Sequence, residues 1–253
     1  MCGSDGYIPL VSRLRRETRK RMLRVSASVL DRLRRRTSDP PDFEPSRVPD
    51  DPRRTSVDAA DGSYTCDAVD SPDGRWTLAY GRRRDGERSR LFGIRDGDVV
   101  VTMDAVRPTA GAVANDGTVA VVERGDSDST VDRIRVLVDG VETLCRSLEA
   151  TIADVAVTPD GGVVAVATRQ PDAQVRVFDA DSGAPLWCFV PRRITPRLLG
   201  FHGGDPPLLY VARAPRDEPY LALDPDGTVS WGNERYQSTR PISERVRSLL
   251  SRK

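Results

Sequence analysis

Lysine and histidine are almost missing from this chain. Lysine occurs only at Lys20 and Lys253 and histidine only at His202, so nearly all of the 39 basic residues are arginine. With one histidine and no recognisable nucleophile beside it, no Ser-His-Asp arrangement can be assembled. The four cysteines, Cys2, Cys66, Cys145 and Cys188, stand far apart and form no CxxC pair, so neither a zinc ribbon nor a thioredoxin-type site is indicated. There is no Walker loop and no GxGxxG, which leaves nucleotide use unsupported. No apolar run approaches membrane-spanning length, no apolar h-region opens the chain, and no Asn-x-Ser/Thr acceptor occurs. These absences lead us to expect a cytoplasmic protein with reduced thiols, without cofactor or metal.

What is present is ordinary in amount. The chain has 253 residues, 38% hydrophobic and 30% charged, with a net charge of +1. That allows one or two globular domains and creates no global field toward nucleic acid or acidic partners. Arginine in place of lysine suits multidentate pairing, although a GC-rich genome produces the same bias. Many Asp, few Lys and few aromatics resemble the composition of a salt-adapted archaeal proteome.

The charge is unevenly placed. Residues 9 to 36 read as a helix, with Pro9 suited to its start and Val11, Leu14, Thr18, Met22, Val25, Val29 and Leu33 recurring at three- and four-residue steps. The other faces of this helix carry eleven basic residues against Glu17 and Asp31, a net of +9. The expected extension, residues 1 to 36, is therefore basic and amphipathic, and Leu14, Met22, Val25 and Val29 are its candidate contact stripe. A partner protein or the chain itself is the first reading for what covers that stripe. Nucleic acid comes second, and peripheral contact with an anionic membrane third, because the stripe has no Trp or Phe. Residues 37 to 58 hold five prolines and are read as an extended linker. Residues 241 to 253 give a second short amphipathic helix with Ser243 as N-cap.

Between these segments one pattern recurs. "SPDGRWTLAYG" (71 to 81), "ANDGTVAVVER" (114 to 124), "TPDGGVVAVAT" (158 to 168) and the weaker "HGGDPPLLYVA" (202 to 212) align, with marker glycines Gly74, Gly117, Gly161 and Gly204. A second set, Gly97, Gly140, Gly183 and Gly227, follows with the same period of 43 or 44 residues. Each unit has room for four short strands, and Asp-Gly supplies the positive φ that tight hairpins need. Four antiparallel strands per forty-odd residues predict a β-propeller blade. The expected fold is all-β: a four-bladed or partial propeller over residues 59 to 240, with blades at about 66–109, 110–152, 153–196 and 197–240. Residues 59 to 65 could supply an extra edge strand. An incomplete ring would allow self-association with a second copy.

"QVRVFDADSGAPLW" (174 to 187) and "YLALDPDGTVSW" (220 to 231) resemble WD-repeat-like and quinoprotein-like propeller repeats, in which a strand ends in Asp, turns at Gly and proceeds to Trp. Trp187 and Trp231 each lie four residues past their marker glycine, where Val101 and Leu144 stand in the other units. The resemblance covers residues 66 to 232 and concerns architecture. It lacks the Gly-His and Trp-Asp signatures of WD repeats and a full set of quinone-cofactor ligands. It implies a non-enzymatic scaffold that binds protein.

Loops joining second to third strands share a face with the loops between blades. On that face the sequence places Arg82, Arg83, Arg84 and Arg107 in the first blade, Arg192, Arg193 and Arg197 in the third, and Arg213 and Arg216 in the fourth, as a candidate binding face for acidic protein, phosphate or nucleic acid. The second blade places Glu123, Asp126, Asp128 and Asp132 on that face with one arginine, Arg124, the fourth adds Arg240, and the alternative is a solvated face whose arginines pair with Asp85, Glu87, Asp217 and Glu218. Two alternatives stand beside the scaffold reading: binding of nucleic acid or an anionic surface through the basic helix, and a propeller enzyme (hydrolase, lyase or dehydrogenase) with its site at the channel mouth. The turn acids Asp73, Asp96, Asp116, Asp139, Asp160 and Asp226 are read as turn chemistry, not metal ligands.

Overall fold

In the computed structural model the described residues are 52–239, apart from 87, 126–130, 170, 192–193, 203–206 and 214–218. The chain divides into two compact units, Phe43–Arg240 and a second made of Met1–Asp42 with Pro241–Lys253. The expected basic helix with its stripe Leu14, Met22, Val25 and Val29, the linker up to residue 51, and the C-terminal helix all lie outside the described residues.

The described unit is all-β but for one short helix. Seventeen strands form four antiparallel sheets, each built in chain order. The first sheet runs β1 (Arg53–Ala59), β2 (Gly62–Asp70), β3 (Trp76–Arg83), β4 (Ser89–Arg95) and β5 (Asp98–Ala105). The second is β6 (Pro108–Val113) to β9 (Val141–Leu148), through β7 (Val119–Arg124) and β8 (Asp132–Val138). The third is β10 (Ile152–Val157), β11 (Val163–Thr168), β12 (Val175–Asp179) and β13 (Pro185–Phe189). The fourth is β14 (Leu198–His202), β15 (Leu208–Ala212), β16 (Leu221–Leu223) and β17 (Val229–Gly232), followed by α1 (Glu234–Thr239). Asn233 caps α1 by accepting the Tyr236 N–H at 2.9 Å.

Two boundaries differ from the sequence reading. The expected linker does not run to residue 58, because Arg53–Ala59 is a strand paired along its whole length with β2. The first blade consequently opens at Gly62, with β1 as a fifth strand, and residues 62 to 65 belong to β2. Proline density ends at Pro52, and past it nothing opposes ladder formation.

The sheets stack in sequence, β2 and β3 on β6, β6 and β7 on β10, β10 and β11 on β14. Separate apolar clusters fill each junction: Leu78, Tyr80 and Leu91 with Val119 and Val121; Val122 and Ile134 with Val155 and Val166; Ala165 and Val177 with Leu199 and Leu209. A fourth cluster, with Tyr64 and Phe92 at its centre, lies within the first sheet alone. Among the described residues the fourth sheet makes no comparable packing on the first. Interior strands such as "VVAVAT" are buried on both faces and read as continuous apolar runs, whereas the outermost β5 alternates between exposed and half-buried residues.

Both sets of repeat markers have a structural cause. The outermost strand of every blade carries one bulge, at Val100, Thr143, Leu186 and Ser230. The bulge bends the strand and blunts a sheet edge that would otherwise recruit other strands. The next residue, Val101, Leu144 or Trp187, then points at the last hairpin turn of the following blade. A Cβ on Gly183 would lie 2.8 Å from the Thr143 carbonyl and 3.3 Å from Leu144, and one on Gly227 would lie 2.9 Å from the Trp187 ring. Glycine stands there for two reasons, close approach and a φ of +65° to +81°. Trp187 also donates its indole N–H to the Pro225 carbonyl at 2.6 Å, and the Thr143 hydroxyl donates to the Ala180 carbonyl at 2.6 Å. Strand-end residue and turn glycine are thus the two halves of one interlock between blades.

Candidate binding face

Antiparallel order puts the ends of the second and fourth strands of every blade on one side. On it stand the loops after β3, β7, β11 and β15 and the connections between blades. Five of the candidate arginines, Arg82, Arg84, Arg107, Arg197 and Arg213, are exposed there and, among the described residues, form no ion pair with a carboxylate. Arg83 is tied instead to Asp85 at 2.7 Å. Arg192, Arg193 and Arg216 lie outside the described residues.

Local backbone bonds hold these loops. Arg84 N–H donates to the Ser63 carbonyl, and Arg107, at φ +49°, accepts the Arg124 N–H on its carbonyl and donates from its guanidinium to the Gly125 carbonyl at 3.0 Å. Arg197 N–H donates to the Ala212 carbonyl. The Arg84 guanidinium also donates to the Ser56 hydroxyl at 3.4 Å, and all five side chains are exposed, a placement suited to capture of carboxylate or phosphate.

Of the acids placed on this face by the sequence, Asp85 pairs with Arg83, Glu87, Asp126, Asp128, Asp217 and Glu218 lie outside the described residues, and Glu123 and Asp132 are buried at blade junctions. Glu123 is 2% exposed; it accepts the Val106 N–H and pairs with Arg135 at 3.0 Å, fixing the second blade to the first. Asp132, also 2% exposed, accepts the Ile152 N–H at 2.7 Å and fixes the second blade to the third. Their place on the binding face is corrected by this burial: two carboxylates that satisfy buried N–H groups at blade junctions are not available to screen surface arginines. Asp61 remains on that side, held by Arg90 at 2.8 Å and by the Tyr64 hydroxyl at 3.0 Å.

The opposite side is acidic, and its carboxylates do turn chemistry. Asp73, Asp116, Asp160 and Asp226 each accept the backbone N–H two residues on, from Arg75, Thr118, Gly162 and Thr228. The Ser71 hydroxyl holds the Asp73 carboxyl below its usual range, the Thr158 hydroxyl does so for Asp160, and the Thr228 N–H for Asp226. No group of three His, Cys, Asp or Glu side chains suited to a metal occurs among the described residues. No helix there is long and apolar enough to cross a membrane.

Other candidate residues have identifiable places. His202 ends β14 and meets Tyr210 edge-to-face at 5.6 Å. Cys145 and Cys188 hold matched positions in β9 and β13, each one residue past the knob of its blade, Leu144 or Trp187, and both are exposed. The residue after the knob points away from the next blade, which is why they face outward.

Arg124 is exposed on the same side as the arginine loops, and the sequence reading missed Arg88 and Arg169, which are exposed there too. Arg169 was findable, because it follows β11 as Arg213 follows β15. It also missed a set near the inner strands. Asp67 and Tyr80 are directly opposed in register and share a sheet face. Tyr80 is 2% exposed, its ring against Gly111, and burial with the nearby carboxylates of Asp67 and Asp154 raises its hydroxyl. Asp154 accepts the Leu199 N–H at 2.8 Å, and burial pushes its carboxyl up to about 7. Nothing local in sequence marks these positions, since the three residues come from separate strands and two blades.

Fold and repeat together define an architecture, four stacked blades each containing four antiparallel strands in chain order, as in β-propeller repeats. Solved structures similar to the chain include Kuenenia stuttgartiensis hydrazine synthase, at 17% identity and TM-score 0.47 over 66% of this chain and 47% of that one. BamB from Moraxella catarrhalis matches at 15% identity and TM-score 0.45, over 70% and 49%. The RRP9 WD40 repeats match at 13% identity and TM-score 0.41, over 69% and 56%. The chain spans about half the length of the structures it matches. No family model and no curated protein matches it.

Proposed function

We propose that this protein is a non-enzymatic propeller scaffold whose arginine-bearing loop face binds an acidic protein segment. The observation that carries the reading is the set Arg82, Arg84, Arg107, Arg197 and Arg213: exposed, on one side, and without carboxylate partners among the described residues. Exposed guanidinium groups gathered on one side raise the local concentration of an anionic partner and orient it. The basic segment 9–36 adds charge of the same sign, and its apolar stripe adds contact that salt does not screen.

The test measures binding of a fluorescent Glu/Asp-rich peptide to the full chain and to a variant with these five arginines changed to Gln. Loss of roughly tenfold or more in affinity supports the reading, since each 1.4 kcal/mol of lost attraction is tenfold. Unchanged peptide binding overturns it. Binding of duplex DNA that exceeds peptide binding, and that survives the five substitutions, transfers the function to the basic segment instead.

A further inference from the structure

One exposed arginine stands at the same place in each of the first three blades. Tyr80, Val122 and Ala167 oppose Asp67, Ala110 and Asp154 of the inner strands in matching register. Each is buried against the following blade: Tyr80 with Val119 and Val121, Val122 with Val155, and Ala167 with Leu199 and Leu209. Two residues further on come Arg82, Arg124 and Arg169, all exposed. Residues two apart share a strand face, so each arginine leaves its blade on the side of the next one. Backbone pairing carries this register to the strand ends. Arg82 lies within β3 opposite Thr65, the Arg124 N–H donates to the Arg107 carbonyl at 3.1 Å, and the Arg169 N–H donates to the Thr151 carbonyl at 2.8 Å. The fourth blade departs from the pattern. Arg213 follows Val211, which packs back on the third blade beside Leu199, so Arg213 adds to the third junction.

The connections between blades strengthen two of these junctions, with Arg107 exposed at the first and Arg197 at the third. The middle connection carries the exposed Glu149 instead. Its neighbour Ala150 accepts, at 3.3 Å, the N–H of Asp132, the register partner of Arg124, so Glu149 and Arg124 belong to one junction. On the same side Asp61, Asp85 and Asp172 are held by Arg90, Arg83 and Arg176. The exposed cations therefore recur from junction to junction and do not gather at one point. Sheets packed face to face stand about 10 Å apart, and an extended chain advances about 3.3 Å per residue. Every third side chain of an extended segment covers one such step.

We infer that the segment bound on the loop face is extended, runs across the blades and carries acids at every third residue, one carboxylate for each junction. The inference rests on the acid-binding reading of this face and adds the geometry of the ligand. A compact anion meets the arginines of one junction at a time, whereas a segment laid across the blades meets all three. Acids three residues apart also repel one another on a helix, which favours the extended form.

The experiment titrates the full-length protein into two fluorescent peptides of equal length and composition. One has three Glu separated by pairs of neutral residues, and the other has the three Glu adjacent. The spaced peptide should bind about tenfold tighter, the gain expected from two further exposed ion pairs. A face that responds to charge density alone prefers the adjacent peptide. Arg82→Gln and Arg169→Gln should each weaken the spaced peptide about threefold. Arg124→Gln should weaken it at least as much, because Glu149 then faces the middle carboxylate. The same substitution should change the adjacent peptide far less, since that peptide can sit at an outer junction. Arg75→Gln, exposed on the opposite side, controls for the loss of one positive charge and should leave both peptides unaffected. Equal affinities for the two peptides, or a spaced peptide indifferent to Arg124→Gln, overturn the inference. If binding is then still lost in the five-arginine variant, the acid-binding reading stands without it. Failure of both peptides to bind overturns the two together.

Discussion

Asp154 is a carboxylate between two blades, and its titration should be visible in the stability of the whole protein. Its folded carboxyl lies at about 7, against 3.8 for the unperturbed group. Between those values the native state holds a proton that the unfolded chain has released. The stability due to this group is therefore complete below about pH 4 and is lost as pH rises through 7. Asp73, Asp160, Asp179 and Asp226 have the opposite sign: their lowered carboxyls stabilise above the unperturbed value, and that contribution disappears as pH falls. Asp154→Asn keeps an oxygen for the Leu199 N–H and cannot ionise. Denaturant titrations should find it more stable than wild type by on the order of 2 kcal/mol at pH 8, with little difference at pH 4. A gap that does not widen with pH would show that Asp154 is not the titrating group. Gly81 gives a second test at this scale. A Cβ there would sit 2.1 Å from the Thr65 carbonyl oxygen and 2.6 Å from Cys66 Cα, both backbone atoms of the neighbouring strand. Gly81→Ala should cost about 2–3 kcal/mol, read as a lowered denaturation midpoint, because backbone cannot rotate away as a side chain can. An unchanged midpoint would mean that β2 and β3 shift apart freely.

At the scale of elements, knob size distinguishes one blade junction from another. Tryptophan fills the third, leucine the second and only valine the first. Where valine stands, a crevice of about 20 Å³ opens among Trp76, Gly93, Val101, Met103, Gly117 and Gly140. Val101→Leu supplies the residue type that works at Leu144, and should raise stability by about 0.5–1 kcal/mol through filling it. Trp187→Ala should act in the other direction, costing about 3 kcal/mol, since it removes both the packing on Gly227 and the bond to Pro225. Calorimetry on the two variants checks both signs. If Val101→Leu destabilises, the crevice is not shaped for a larger knob.

For the whole molecule, the two sides of the blade row differ in charge for different reasons. Turn geometry requires the aspartates on one side, and their oxygens are engaged by backbone N–H groups. On the other side Arg82, Arg84, Arg107, Arg197 and Arg213 are exposed without a carboxylate partner among the described residues, and it is these that the proposed function assigns to a partner. Attraction to that partner should fall as salt rises, with a smaller salt dependence after Arg82, Arg197 and Arg213 are changed to Gln. Binding that is equally salt-sensitive in both proteins would place the responsible charges outside these loops.

The repeat was legible because it is local. Asp-Gly turns, alternating strands and a period of 43 or 44 residues express constraints within one hairpin or one blade, and the four observed sheets follow them closely. In the third blade the four observed strands, Ile152–Val157 to Pro185–Phe189, fall within the expected blade 153–196 apart from one residue at the start. The position shared by Val101, Leu144, Trp187 and Trp231 was visible as a coincidence of spacing, but its meaning was not, since the glycine it meets belongs to the next blade. The same reason explains Glu123 and Asp132, which looked like surface acids and are buried at blade junctions. Hydrophobic periodicity reports which face of a strand is apolar. Which N–H or guanidinium a buried carboxylate satisfies depends on the stacking of separate sheets. The sequence by itself therefore determined the blade, its turns and its number of repeats. Only the tertiary structure decided that Glu123 and Asp132 are buried at blade junctions, that β1 extends the first blade, and that the residue past each of the first three bulges meets a glycine of the next blade, because each of these depends on contacts between residues far apart in the chain.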